Sequence, residues 1–288
     1  MQPNNEQAIR MLLSRHGFHF SKSMGQNFLI EEAVPRRIAE CAGVDGAGVL
    51  EIGPGIGALT AQLAARAEKV VPVELDRSLA PLLEETLAGY ENVEIVFGDI
   101  LKTDVAALLD EKLSGLRRCV CANLPYNITT PVLTKLINTG GFESITVMVQ
   151  REVARRIAAA PGTADYGAFS VFISFYTEPE ILFDVSPDCF MPQPKVWSSV
   201  VKLHIRKDPF PEIPDRQAFF SVVRAAFAQR RKTLLNCLSF ACGSRFSRQE
   251  LADMIASCGI SPGARGETLG IPEYALLAEK LGNSTKSE

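Results

Sequence analysis

Glu51-Ile52-Gly53-Pro54-Gly55-Ile56-Gly57 follows the apolar pair Val49-Leu50 and precedes Leu59, Leu63 and Ala64. A short apolar run, three alternating glycines and a helical apolar spacing spell strand, tight turn and helix. Glycine adopts backbone angles and allows close approaches that a side chain forbids. The N-terminus of the helix that follows suits an anionic group. A turn of this kind serves either as a purely structural corner or as the cradle of a bound cofactor.

The surrounding pattern repeats that unit. Apolar runs at 70–75, 93–97, 119–123 and 145–150 alternate with helical spacings at about 77–88, 105–113 and 131–138. Alternation of this kind predicts an α/β fold with a parallel, doubly wound sheet. Right-handed crossovers place the C-terminal ends of the strands at one rim. Gly53, Glu74, Asp99 and Asn123 fall at those ends, where open α/β sheets bind ligands.

The flanks read differently. Residues 1–20 carry little pattern and read as mobile or loosely helical, and 21–27 as a polar loop. Ile30, Val34 and Ile38 suit a helix ending near Gly43. Residues 151–160 read as a helix stopped by Pro161-Gly162, and 168–176 fits helix or strand. Segments 181–185 and 196–205 read as a closing hairpin, with an irregular stretch at 190–195 because Pro192 and Pro194 oppose regular structure. Lys207-Asp208-Pro209-Phe210-Pro211-Glu212-Ile213-Pro214 has the composition of a linker, and only helical periodicity follows it. The expected organisation is a first domain at 1–206, a linker at 207–214 and a small all-helical domain at 215–288.

Composition bounds the class. At 47% hydrophobic and 22% charged residues the chain reads as a soluble globular protein. Its apolar runs fall short of the roughly 18 residues a membrane span needs, and residues 1–6 do not resemble a signal peptide. A cytoplasmic monomer is the expectation. Seven scattered cysteines, an odd number, argue against a disulfide framework, and no pairing of Cys119 and Cys121 with further ligands suggests zinc, so no metal is expected. His16, His19 and His204 form no catalytic spacing. The net charge of −3 disfavours nucleic acid only as a sum. Residues 216–249 hold seven basic residues and no Asp or Glu.

Glu74 ends the second strand, where a carboxylate accepts hydrogen bonds from both hydroxyls of a ribose. Asp76 points the same way and competes with it. Asp99, at the end of the third strand, suits an adenine amine or a helix cap near Thr103. Glycine turn, Glu74 and Asp99 in order fit an adenosine-containing cofactor, NAD or S-adenosylmethionine. The turn departs from G-x-G-x-x-G, which shifts the weight to S-adenosylmethionine.

Gly53-Pro54-Gly55-Ile56-Gly57, Glu74, Asp99 and Asn123-Leu124-Pro125-Tyr126 together resemble the rRNA adenine N6-dimethyltransferases, and most closely the small-subunit (16S) type. Gly25-Gln26-Asn27-Phe28-Leu29, Pro192-Gln193-Pro194-Lys195-Val196, Gln229-Arg230-Arg231-Lys232-Thr233-Leu234 and Arg265-Gly266-Glu267-Thr268-Leu269 add to the likeness, which spans about residues 20–280. The resemblance implies a Rossmann-like methyltransferase sheet, S-adenosylmethionine as cofactor and 16S rRNA within the 30S subunit as partner, with a role in small-subunit biogenesis. It implies cofactor contacts from Asn27, Leu29, Gly53, Glu74, Asp99 and Asn123. Asn27 also suits a plain helix cap.

The chemistry expected at Asn123-Leu124-Pro125-Tyr126 follows from the adenine amine, a poor nucleophile because its lone pair is delocalised into the ring. Two acceptors aimed at its hydrogens, the Asn123 side-chain carbonyl and the Leu124 backbone carbonyl, favour a pyramidal nitrogen. Pro125 stiffens the loop, and Tyr126 stacks on the base. The resemblance puts Phe190 on the opposite face of a flipped base; a core Phe is the plainer reading, and Trp197 reads as packing. Arg224, Arg230, Arg231, Lys232, Arg245 and Arg248 are candidates for phosphate contacts or for a solvated face. Rival readings are a large-subunit rRNA adenine methyltransferase of the resistance type, a DNA adenine methyltransferase, and a non-catalytic assembly factor on the same fold.

Overall fold

The structure, a computed structural model, describes residues 6–18, 20, 26–229 and 231–283. In chain order the elements are α1 (Glu6–Arg15), β1 (Phe28–Leu29), α2 (Ala33–Ala42), β2 (Gly48–Ile52), α3 (Ala58–Ala64), β3 (Lys69–Glu74), α4 (Ala80–Leu87), β4 (Val96–Phe97), α5 (Val105–Lys112), β5 (Arg118–Asn123), α6 (Thr129–Thr139), β6 (Ser144–Gln150), α7 (Arg151–Ile157), α8 (Ala168–Tyr176), β7 (Thr177–Val185), β8 (Phe190–Met191), β9 (Ser198–Ile205), α9 (Arg216–Phe227), α10 (Leu234–Cys242), α11 (Arg248–Ser257) and α12 (Ile271–Asn283).

A seven-stranded sheet runs β4-β3-β2-β5-β6-β9-β7. The ladders from β4 to β6 are parallel, and β9 joins β6 antiparallel. The chain winds outward from β2 through β3 to β4, then returns to the other side of β2 with β5. The strand order therefore reverses between β2 and β5, and their C-terminal ends flank the crevice that such a reversal opens. Every residue of β2 is buried, as a strand covered on both faces requires. Leu63, Val49 and Val70 pack with Ile38 and Ala39 in one apolar cluster. Ile9, Leu12 and Leu13 pack with Ile56, Leu79 and Leu82 in another.

Of the two readings of residues 1–20, mobile or loosely helical, the described part takes the helical one. Glu6–Arg15 is a regular helix, and its residues Ile9, Leu12 and Leu13 are core. The third strand is shorter than its apolar run, Val96–Phe97 with a lone bridge from Val93 to Val70. The ambiguous 168–176 is helix. Phe190–Met191 is not irregular: it pairs with Leu29 and Phe28, because the two prolines begin only after the paired residues.

Compactness divides the chain into Met1–Ala154 with Pro179–Ile205, and Arg155–Glu178 with Arg206–Glu288. Against the expected first domain at 1–206, this division places Arg206 and residues 155–178 with the helical unit. The reason is apolar. Tyr166, Val171 and Phe175 are buried with Phe219, Val223, Leu238 and Tyr274, and the Tyr166 hydroxyl donates to the Leu269 carbonyl. Among the described residues no helix is long and apolar enough to cross a membrane, and no group of three or more His, Cys, Asp or Glu is placed to hold a metal ion.

Candidate active site

A cavity of about 300 Å³ opens at the ends of β2, β3 and β5. Its wall includes Asn27, Leu29, Gly53, Glu74, Asp99, Asn123, Leu124, Pro125 and Tyr126. Ten of the distinct residues expected at the cofactor and the base were Asn27, Leu29, Gly53, Glu74, Asp99, Asn123, Leu124, Pro125, Tyr126 and Phe190, and the fold brings all but Phe190 to this one cavity. Phe190 is 3% exposed, paired with Leu29 and packed among Ile38, Met148 and Val200. It supports the strand under the cavity and does not line it.

The glycine turn is shaped by its angles. Gly55 sits at φ +59°, and a Cβ there would lie 3.1 Å from two ring carbons of Phe28. The turn brings the Gly55 N–H to Glu74 Oε2 (3.3 Å), while the Asp76 N–H donates to Oε1 (2.8 Å). Each carboxylate oxygen keeps a further lone pair for a ligand hydroxyl. Burial raises the Glu74 pKa above the usual carboxylate value, opposed by these two backbone donors. The competition between Glu74 and Asp76 is resolved by geometry. The Asp76 carboxylate accepts from the Ser78 N–H and hydroxyl and from the Gln26 amide, so it caps a turn of 3-10 helix instead of facing the cavity. Asp99 accepts from the Leu101 N–H at 2.9 Å, and α5 has its own cap in Asp104.

Asn123 ends β5. Its amide nitrogen donates to the Asn27 carbonyl at 3.4 Å, and its side-chain oxygen accepts no hydrogen bond from the described residues. The Leu124 N–H donates to the Met148 carbonyl at 3.1 Å, which fixes the loop to β6. The Pro125 carbonyl caps the following turn through the Ile128 N–H. No described residue donates to the Leu124 carbonyl. The Tyr126 hydroxyl is 2.8 Å from Ser198 Oγ, which ties the ring to the start of β9. Burial raises the Tyr126 pKa, so the phenol is neutral at physiological pH.

Glu51 is a site residue that the spacing did not single out. It is 1% exposed and lines the cavity, and among the described residues neither its Oε2 nor the neighbouring Thr60 hydroxyl has a hydrogen-bond partner. Burial pushes its pKa to about 8, with the Glu74 charge adding to the rise. The signal in the sequence was a carboxylate inside the apolar run Val49-Leu50-Glu51-Ile52. Three acids, Glu51, Glu74 and Asp99, therefore share a cavity whose described lining carries no Lys, Arg or His. Such a cavity offers a pyrophosphate no cation to pair with, whereas its carboxyl groups suit a cation. That choice separates S-adenosylmethionine, with its sulfonium and ammonium, from NAD.

The basic candidates lie in the helical unit. Arg224, Arg231, Lys232 and Arg248 are exposed. Arg224 donates to Ser221 Oγ, whereas Arg245 donates to the Leu281 carbonyl and lies over the Phe246 ring. Arg245 thus holds the end of α12. Arg230 lies outside the described residues.

Known proteins resemble this chain in sequence and in fold. Relatives from Geobacillus thermodenitrificans (46% identical over 274 residues, 94% of each chain) and Listeria monocytogenes (45% over 286 residues, 96% of each chain) are both ribosomal RNA small subunit methyltransferase A. Among solved structures, a dimethyladenosine transferase from Plasmodium falciparum shares the fold at TM-score 0.74 and 22% identity, over 90% of this chain and 98% of that one. The 23S rRNA methyltransferase ErmE does so at TM-score 0.66 and 28% identity, over 88% and 99%. The family described as ribosomal RNA adenine dimethylase matches residues 17–280, and this chain belongs to it.

Proposed function

We propose that this chain transfers methyl groups from S-adenosylmethionine to N6 of adjacent adenines near the 3′ end of 16S rRNA in the 30S subunit, giving dimethyladenosine. The observation that carries the reading is the pair of acceptors at the end of β5. The Asn123 side-chain oxygen and the Leu124 carbonyl accept no hydrogen bond from the described residues and lie on the wall of an acidic cavity. Two N–H donors on one nitrogen match two such acceptors.

The residues present fit the cofactor. Glu74 would hold the ribose hydroxyls, Asp99 the adenine amine, and the Gly53 turn would admit the chain between them. The orphaned carboxyl of Glu51 faces the same space and suits an ammonium. When bound, the cofactor supplies an electrophilic methyl on sulfonium, already activated. The protein's own work is positioning. Asn123 and Leu124 orient the amine and draw its lone pair out of conjugation. Pro125 stiffens the acceptor loop, and Tyr126, tethered to Ser198, offers a face for the base. The exposed Arg224, Arg231, Lys232 and Arg248 supply cations for RNA phosphates. The reading is of a cytoplasmic monomer acting on the small subunit.

Purified protein, labelled methyl donor and 30S particles lacking the modification test it. Dimethyladenosine mapped by mass spectrometry to adjacent positions near the 3′ end is the expected product. Label on large-subunit rRNA alone would replace this reading with the resistance-type one.

A further inference from the structure

Outside the cavity, one exposed aromatic stands at the rim. Trp197 is 42% exposed and Val196 beside it 44%. The ring is not left over from packing: the Arg151 guanidinium carbon lies 5.4 Å from its centroid. Arg151 is itself placed from three directions. Its N–H donates to the Trp197 carbonyl (2.9 Å), and its guanidinium lies 3.9 Å from Asp184 Oδ2. The Ser199 hydroxyl holds the other oxygen of Asp184 at 2.5 Å. The side chains thus form a braced, solvent-facing platform, aromatic with a cationic edge.

The position of this platform matters more than its exposure. Ser198, the next residue, is the group that touches the Tyr126 hydroxyl. Gln150 and Ser198 are paired at the end of the β6–β9 ladder, and Asn123 and Met148 at the end of the β5–β6 ladder. Trp197 therefore stands at the same rim as the acceptor loop, beyond the strand that carries Tyr126's partner.

We propose that Trp197, braced by Arg151, is a stacking site for a nucleobase flanking the target adenine in single-stranded RNA. Every base has a π-face, so a ring beside a guanidinium binds whichever base lies there, and the Arg151 charge meets the adjoining phosphate. Lys195 adds a second exposed cation, while the exposed acids nearby are Glu152 and Asp184, the latter partly offsetting the Arg151 charge. Drawing the neighbour onto Trp197 splays the strand and helps hold the target base out of its stack. The proposal rests on the adenine methyltransferase reading.

Trp197 is the chain's single tryptophan, so intrinsic fluorescence reports on this site alone. Titration with a single-stranded oligoadenylate hexamer should quench it saturably, and an abasic hexamer of equal charge should not. In methyl transfer to unmethylated 30S particles, Trp197→Ala should raise KM roughly 5- to 150-fold, the range that loss of one stacked base implies. Its kcat should hold, and Trp197→Phe, which keeps a ring, should recover most of the loss. Equal quenching by both hexamers, or no quenching, overturns the proposal, as does an unchanged KM for Trp197→Ala. Wild-type protein that quenches with the oligoadenylate yet leaves 30S particles unmethylated would sink the functional reading and leave the stacking site standing.

Discussion

Replacing Glu51 by Gln should stabilise the protein relative to wild type by an amount that grows as the pH rises. The wild-type carboxyl titrates at about 8 in the folded chain against 4.5 when solvated. At about 1.4 kcal/mol per pH unit, ionising it in place costs about 5 kcal/mol. The sign follows from proton counting. Between these two values the folded state holds a proton that the unfolded state has lost, so stability falls as pH rises from 4.5 and levels off above 8. Glutamine has the same shape and no such slope. For a unit of this size each kcal/mol moves the melting midpoint roughly 2–4 °C. About 4 kcal/mol of this falls between pH 5 and 8.5, so the difference in Tm, variant minus wild type, should grow by roughly 8–15 °C over that window.

The same group links cofactor binding to protons. A bound cation beside Glu51 favours its ionised form, so wild-type protein should release a proton on binding S-adenosylmethionine at pH 7, and its affinity should rise toward pH 8. Glu51→Gln should bind with no proton release and a flat profile. Titration calorimetry in two buffers of different ionisation heat counts the proton directly. Parallel Tm profiles for the two proteins, with no release in either, would mean that Glu51 is ionised in the fold and that its burial has been misread.

Three further outcomes follow from the geometry. Gly55→Ala places a Cβ against Phe28 at φ +59°, and should cost about 1–3 kcal/mol in thermal unfolding while weakening cofactor binding measured by calorimetry, because the Gly55 N–H leaves Glu74. Tyr126→Phe deprives the buried Ser198 hydroxyl of its partner and should lower stability by about 1–2 kcal/mol, with far less loss of methyl transfer than Tyr126→Ala, which also removes the ring. Charge reversal at Arg224 and Arg231 together should flatten the salt dependence of RNA binding by roughly 1–2 in log–log slope and leave cofactor affinity alone. Equal salt slopes would move the phosphate contacts elsewhere.

Much of this site was legible because the cues are local. Three alternating glycines after an apolar run mean one thing to the backbone, and strand ends fall where the apolar pattern stops, which is why Gly53, Glu74, Asp99 and Asn123 converge. Where the sequence left Glu74 and Asp76 even, only the partners of Asp76 decide. Glu51 escaped notice because a carboxylate's chemistry depends on its burial, and alternation along a strand covered on both faces does not report burial. The helix at Glu6–Arg15 has a correct i, i+3, i+4 trio in Ile9, Leu12 and Leu13, but ten residues give too few repeats to stand out. Residues 155–178 joined the helical unit through Tyr166, Val171 and Phe175, long-range contacts that no linker composition announces.

The protonation states in the cavity bear on how the transfer proceeds. Glu51 holds its proton at neutral pH. Tyr126 is neutral and shares its hydroxyl with Ser198. Glu74 is fixed by two backbone donors, and Asp99 by the Leu101 N–H. The transfer does not need any of them to take a proton from the amine before it reacts. An exocyclic amine becomes acidic only once alkylated, so the demand before transfer is geometric: its N–H groups must point at fixed acceptors. In the proposed reading Asn123 and Leu124 would meet that demand with neutral oxygens, which can hold a neutral amine without drawing off its proton. The second transfer begins with a single N–H, so one of the two acceptors is then redundant and the methyl needs its space. A loop that offers two equivalent oxygens, one a side chain that can swing and one fixed backbone, suits both rounds.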